Sequence, residues 1–106
     1  MTSRVTRIEL APEVLRDFDR IFDHLTQFDV QDAPGRIVEI VDAIQILAHS
    51  PLIGRKVKGG KRELVIGHAA RGHVALYRYV SDIDVVFVLA LRGQRESGFK
   101  RRSRHP

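Results

Sequence analysis

The sequence predicts an α/β domain of the α+β kind, ordered β-α-α-β-β-β, with a helical hairpin packed on one face of a mainly antiparallel four-stranded sheet. Three observations carry this reading. Two apolar stripes with helical spacing occupy residues 12–50. Short β-branched and apolar segments fill the chain from residue 62 to residue 91. A length of 106 residues with 43% hydrophobic content supports one modest core rather than two.

The first strand spans Ser3 to Leu10, where Val5, Ile8 and Leu10 supply the apolar positions. Pro12 suits the first turn of a helix, where a missing N–H costs nothing. Val14, Leu15, Phe18, Ile21, Phe22 and Leu25 then form one apolar helical face, with Asp17, Asp19 and Asp23 mostly outside it. A connection around Asp29–Pro34 leads to a second helix, with Asp32 as N-cap and Pro34 in its first turn. Ile37, Ile40, Val41, Ile44, Leu47 and Ala48 form its stripe. Ser50-Pro51 ends it, because the residue before proline avoids the α region. Phe18 and Ile44 stand at the centres of the two stripes.

Arg62 to Ile66 reads as a short strand and Gly67 to Gly72 as a loop. His73 to Val80 alternates as the next strand, and Ser81-Asp82 turns the chain. Asp84 to Leu91 is nearly all apolar, which predicts a strand covered on both faces at the sheet centre. Residues 1–99 are expected to make the domain, with 100–106 as a loose basic tail.

Charge is distributed unevenly. Residues 1–49 hold five Arg against nine Asp or Glu, a net of −4; residues 50–106 hold thirteen Lys or Arg against four acids, a net of +9. One side of the protein is therefore expected to meet something anionic. The chain has no cysteine, which excludes disulfides, thiolate zinc sites and a cysteine nucleophile. No apolar run approaches the roughly 20 residues of a membrane span, and the N-terminus lacks a signal-peptide core. The expectation is a cytoplasmic protein without membrane contact, metal or cofactor.

Four segments are specific in their order and spacing. They are Ser50-Pro51-Leu52-Ile53-Gly54-Arg55, Lys61-Arg62-Glu63-Leu64-Val65-Ile66, Val74-Ala75-Leu76-Tyr77-Arg78-Tyr79 and Val86-Phe87-Val88-Leu89-Ala90-Leu91-Arg92. Together they resemble the RelE/ParE toxin superfamily over roughly residues 3–99. The resemblance implies a toxin held inactive by a cognate antitoxin, whose C-terminal segment lays a helix in the helical-hairpin groove and extended chain along the sheet. It also implies one of two targets. RelE-like members cut mRNA on the ribosome, whereas ParE-like members poison DNA gyrase.

Cleavage of RNA through its 2′-hydroxyl requires a base, an acid and cations for the developing charge. Cations are plentiful: Arg55, Lys56, Lys58, Arg62, Arg78, Arg92 and Arg95 are the candidate target contacts, with Lys61 among them in sequence. Arg92 and Arg95 are favoured by the resemblance, which implicates the C-terminal part in gyrase poisoning. Proton-transfer candidates are His68, His73, Tyr77 and Tyr79, with Arg78 as a charge stabiliser. Leu91-Arg92-Gly93-Gln94-Arg95, where ribonuclease members of the superfamily tend to carry such groups, has no His or Tyr, and Phe99 has no proton to give. The two tyrosines read more readily as half-buried sheet residues with hydroxyls at the rim, and Arg78 equally as the ion-pair partner of Glu63. The expected mode of action is thus ParE-like binding of gyrase; an mRNA nuclease and an inert antitoxin-binding member stand as alternatives.

Overall fold

Five strands and two helices make up the protein, whose computed structural model describes residues 5–27, 33–67 and 72–93. Strand β1 (Arg7–Leu10) leads directly into helix α1 (Pro12–Gln27). The Ala11 N–H donates to the Val88 carbonyl at 2.9 Å, so the chain stays bonded to the sheet until the helix begins. On α1, Val14, Ile21 and Leu25 are buried and Phe18 packs partly against them. Leu15 (61% exposed) and Phe22 (38% exposed) depart from the single-face expectation. They lie on the flanks of the stripe, and Phe22 turns towards α2.

Helix α2 (Ala33–Ile46) buries Ala33, Ile40 and Ile44, and Leu47 continues the row in the turn that follows. The turn tightens through Ser50 N–H donating to Ile46 O at 3.0 Å, which brings Pro51 to the sheet. The expected Asp32 cap and the start of the connection lie outside the described residues.

The sheet order is β1-β5-β4-β3-β2, with β2 (Arg55–Val57), β3 (Lys61–Ile66), β4 (His73–Val80) and β5 (Val85–Gly93). Strand β1 runs parallel to β5, and the other pairings are antiparallel. The expected four-strand count is one short. The basic stretch ahead of the expected Arg62–Ile66 strand forms a hairpin with it: β2, a 3-10 turn over Lys58–Gly60, and β3. Gly59 and Gly60 take φ of 78° and 71°, which reverses the chain there at no cost in side-chain clash.

Strand β5 also differs from its reading. It lies between β1 and β4 rather than at the centre, and helices cover only one of its faces. Its apolar run has another cause. Leu76 faces Ala90 while Tyr77 faces Val88, so Leu89 is a bulge residue without a partner. The bulge lets Val88 and Leu91, three residues apart, point to the same helix-covered side, and both are fully buried. Strict alternation would have sent one of them to solvent.

The core thus joins Ile40, Ile44 and Leu47 to Val14, Ile21, Val86, Val88 and Leu91. Replacing Ile40 or Ile44 by Ala should cost about 2–5 kcal/mol. Phe18→Ala should cost less than either, because its ring is only half-buried; chemical denaturation of the three variants checks the ranking.

Candidate functional site

Tyr77 and Arg62 face each other across β3 and β4 on the helix side of the sheet. Tyr77 was expected at the rim but is fully buried. Its hydroxyl accepts from the Gly54 N–H at 2.8 Å and donates to the Pro51 carbonyl at 2.9 Å. Arg62 donates through Nη1 to the carbonyls of Leu52 at 3.0 Å and Gly54 at 2.8 Å. Two strand side chains therefore clamp the 50–54 turn. Gly54 is needed for closeness rather than for an unusual φ: a Cβ there would stand 2.6 Å from the Tyr77 oxygen. Burial raises the Tyr77 phenol above its ordinary value of 10.0, outweighing the Gly54 hydrogen bond and the nearby Arg62 charge. Such a phenol is no proton acceptor at neutral pH.

The opposite face of the sheet carries Arg55, Glu63, Arg78 and Arg92. Arg55 lies directly across from Glu63 and pairs with it at 2.7 Å. Arg92 approaches the other carboxylate oxygen at 3.8 Å. The expected Arg78–Glu63 pair is not made. Glu63 opposes Leu76, which leaves Arg78 nearer the hairpin turn, where its Nη2 donates to the Gly59 carbonyl at 2.8 Å. Three arginines with one carboxylate among them make this face cationic. Lys58, in the hairpin turn, is exposed.

Strand β5 is held in place where Arg92 leaves it. Beyond Val88 there is no β1 residue to pair with. Side chains of α1 take over: Asp17 accepts from the Leu91 N–H at 2.9 Å, and Arg20 donates to the Leu91 carbonyl at 3.0 Å. The same two side chains also touch each other at 3.2 Å. Sequence reasoning placed Asp17 among the outer-face acids of the helix. Its spacing from Arg20 is the one signal that pairs them, but nothing in it points to strand β5.

The other described proton-transfer candidates do not join the arginine face. His73 is buried at the start of β4, in the same row as Ala75 and Tyr77. Tyr79 shares that side and donates its hydroxyl to Asp84 Oδ1 at 2.8 Å. Thr6 donates to the same oxygen at 2.7 Å. Asp84, at φ 55°, thus ties the turn before β5 to the first strand, a role that sequence reasoning did not assign. His68 and Arg95 lie outside the described residues, as do Phe99 and the tail. Among the described residues no three potential metal ligands come together.

Two concavities adjoin these faces. A cup of about 510 Å³ sits beside the β2–β3 hairpin, with Leu52, Lys56, Lys61, Arg62, Tyr79 and Ser81 in its wall. A shallower apolar groove of about 300 Å³ runs between α1 and α2, lined by Phe18, Phe22, Ile37 and Val41 with Asp19 at its rim.

Residues 8–98 match the family described as the ParE toxin of the type II toxin–antitoxin system parDE. This chain belongs to the ParE toxin family. The toxin also shares its fold with solved structures. One, from the chromosomal ParDE system of P. aeruginosa, superimposes with a TM-score of 0.70 at 19% identity, covering 86% of this chain and 98% of that one. The RelBE2 toxin–antitoxin complex of Mycobacterium tuberculosis gives 0.61 at 13% identity, with 88% and 95% covered. A double-arginine mutant of E. coli RelE in the free state gives 0.61 at 12% identity, with 94% and 96% covered. No curated protein matches the toxin by sequence. No helix among its described residues is long and apolar enough to cross a membrane.

Tyr77→Phe removes both hydroxyl bonds and should cost about 1–3 kcal/mol. It should also change the response to alkali. The folded phenol ionises at higher pH than an unfolded one, so its contribution is complete below pH 10.0 and is lost as pH rises through the folded-state value. Denaturation midpoints measured across alkaline pH should fall in the wild-type toxin and fall less steeply in Tyr77→Phe.

Proposed function

We propose that this toxin inhibits growth by binding and poisoning DNA gyrase through the arginine face of its sheet, and that a cognate antitoxin neutralises it. One observation carries the choice of binding over RNA cleavage. The described proton-transfer candidates, His73, Tyr77 and Tyr79, lie on the helix side of the sheet, while Arg55, Arg78 and Arg92 lie on the other; the cations that share the helix side, Lys56 and Arg62, have only Tyr77 and Tyr79 of these candidates beside them. A nuclease needs acid, base and cation around one phosphate, within about 3 Å of the reacting atoms. A binding protein needs only the cations. Tyr77 and Tyr79 have, besides, committed their hydroxyls to Pro51 and Asp84.

The antitoxin reading is supported by the α1–α2 groove. Phe18, Phe22, Ile37 and Val41 form an apolar trough, and Leu15 and Val38 beside it are more than half exposed. An amphipathic helix with apolar residues at i, i+3, i+4 and i+7 suits such a trough. Among the solved relatives, one comes from a ParDE system and another is a toxin bound to its antitoxin.

Purified toxin should inhibit gyrase supercoiling or trap cleaved plasmid, and should leave translated mRNA intact. Codon-positioned mRNA cuts in a ribosome-containing extract, with gyrase unaffected, would reverse the assignment. Replacing Arg92 and Arg95 together by Ala should abolish growth inhibition with little change in melting temperature or antitoxin affinity. Lys at both positions should restore part of it if charge alone matters, and little if a bidentate guanidinium contact is required. A double Ala variant as toxic as the parent, beside a folded but harmless His73→Ala, would favour the nuclease.

A further inference from the structure

The cup beside the β2–β3 hairpin is a second cationic site, and its cations are in a different state from those of the arginine face. On the arginine face Arg55 and Arg92 share Glu63. In the cup's wall, Lys56 and Lys61 have no ion-pair or hydrogen-bond partner among the described residues. Arg62 uses only Nη1, on the Leu52 and Gly54 carbonyls, and no described acceptor takes its other N–H groups. Those two bonds fix the guanidinium, so its remaining donors are held in place before any ligand arrives. Among the described residues no carboxylate lines the cup. Leu52 and the Tyr79 ring give it an apolar flank, and Ser81 adds a hydroxyl.

We propose that this cup binds a nucleoside phosphate, with the phosphate on Lys56 and Arg62 and the base against Leu52 and Tyr79. Guanidinium and ammonium donors match phosphate oxygens, and a planar tyrosine stacks on bases of any sequence. The volume of about 510 Å³ lies within the usual range for small-molecule sites, roughly 300–1,000 Å³. It favours a compact ligand over an extended acidic peptide. A free nucleotide and the 5′-phosphorylated end of a nucleic-acid strand share this chemistry. Neither gyrase binding nor the arginine face enters the argument, so the site stands or falls separately from the toxin's target.

The test is an amide-resolved NMR titration of the full chain with adenosine 5′-monophosphate, adenosine, inorganic phosphate, a Glu-rich peptide, and a tetranucleotide with and without its 5′-phosphate. The monophosphate should shift amides of Lys56, Gly60, Arg62 and Ser81, and should bind more tightly than adenosine or phosphate alone. Lys56→Ala should weaken it about tenfold, the loss of one charge-assisted hydrogen bond, with melting temperature unchanged because Lys56 is exposed. Ser81→Asp, which sets a carboxylate in the wall, should weaken it at least as much. Tighter binding of the phosphorylated tetranucleotide would assign the ligand to a strand end; equal binding would assign it to the free nucleotide. Either supports the site. Absence of shifts at millimolar monophosphate, shifts confined to Arg78 and Arg92, indifference to Lys56→Ala, or preference for the Glu-rich peptide would each overturn it.

Discussion

The Tyr77 hydroxyl is the contact on which the rest of the architecture depends. It is buried, and it bonds both Pro51 and Gly54, so it holds the turn that carries the chain from the helices to the sheet edge. A buried hydroxyl left without partners costs about 1–3 kcal/mol, so the turn and the tyrosine position each other. Arg62 reinforces the clamp from the neighbouring strand. With the turn fixed, Arg55 begins the edge strand directly opposite Glu63, and the ion pair of the outer face follows from that register.

The sheet then acts as a divider. Its helix side holds the core, His73 and both tyrosines; its outer side holds Arg55, Glu63, Arg78 and Arg92. Glu63 lowers the net charge of that side but also restrains two long arginines, and a restrained guanidinium loses less entropy on meeting a target. The C-terminal end of β5, from which Arg92 projects, is steadied by Asp17 and Arg20 on the helix beneath. That helix also lines the apolar groove.

Both helices were legible, because a stripe at 3.6-residue spacing can be buried in only one way. Strands β4 and β1 and the basic second half were legible too. The motifs at residues 50–55, 61–66 and 74–79 were visible as a pattern, yet their purpose was not. Gly54 stood in the pattern with no role assigned; it is small because Tyr77 passes 2.6 Å from where its Cβ would be. Strand β2 was missed because Arg55-Lys56-Val57 has almost no apolar alternation; an edge strand of three residues is held by its neighbour's backbone. Asp84 gave no signal, since Thr6 is 78 residues away and Tyr79 meets it only once the turn before β5 has closed.

What the sequence by itself determined is therefore the set of local choices: helix, strand, turn, net charge, and membership of a toxin superfamily. Each depends on residues close together in the chain. Tertiary structure decided the pairings. It gave Glu63 to Arg55 and Arg92 rather than to Arg78, placed Leu89 in a bulge so that Val88 and Leu91 share a face, and put the tyrosines on the far side of the sheet from Arg55, Arg78 and Arg92. These outcomes depend on strand register, and one residue of slip exchanges every side chain between the two faces. Register is set by contacts such as Tyr77 with Pro51, 26 residues apart, which no local pattern encodes.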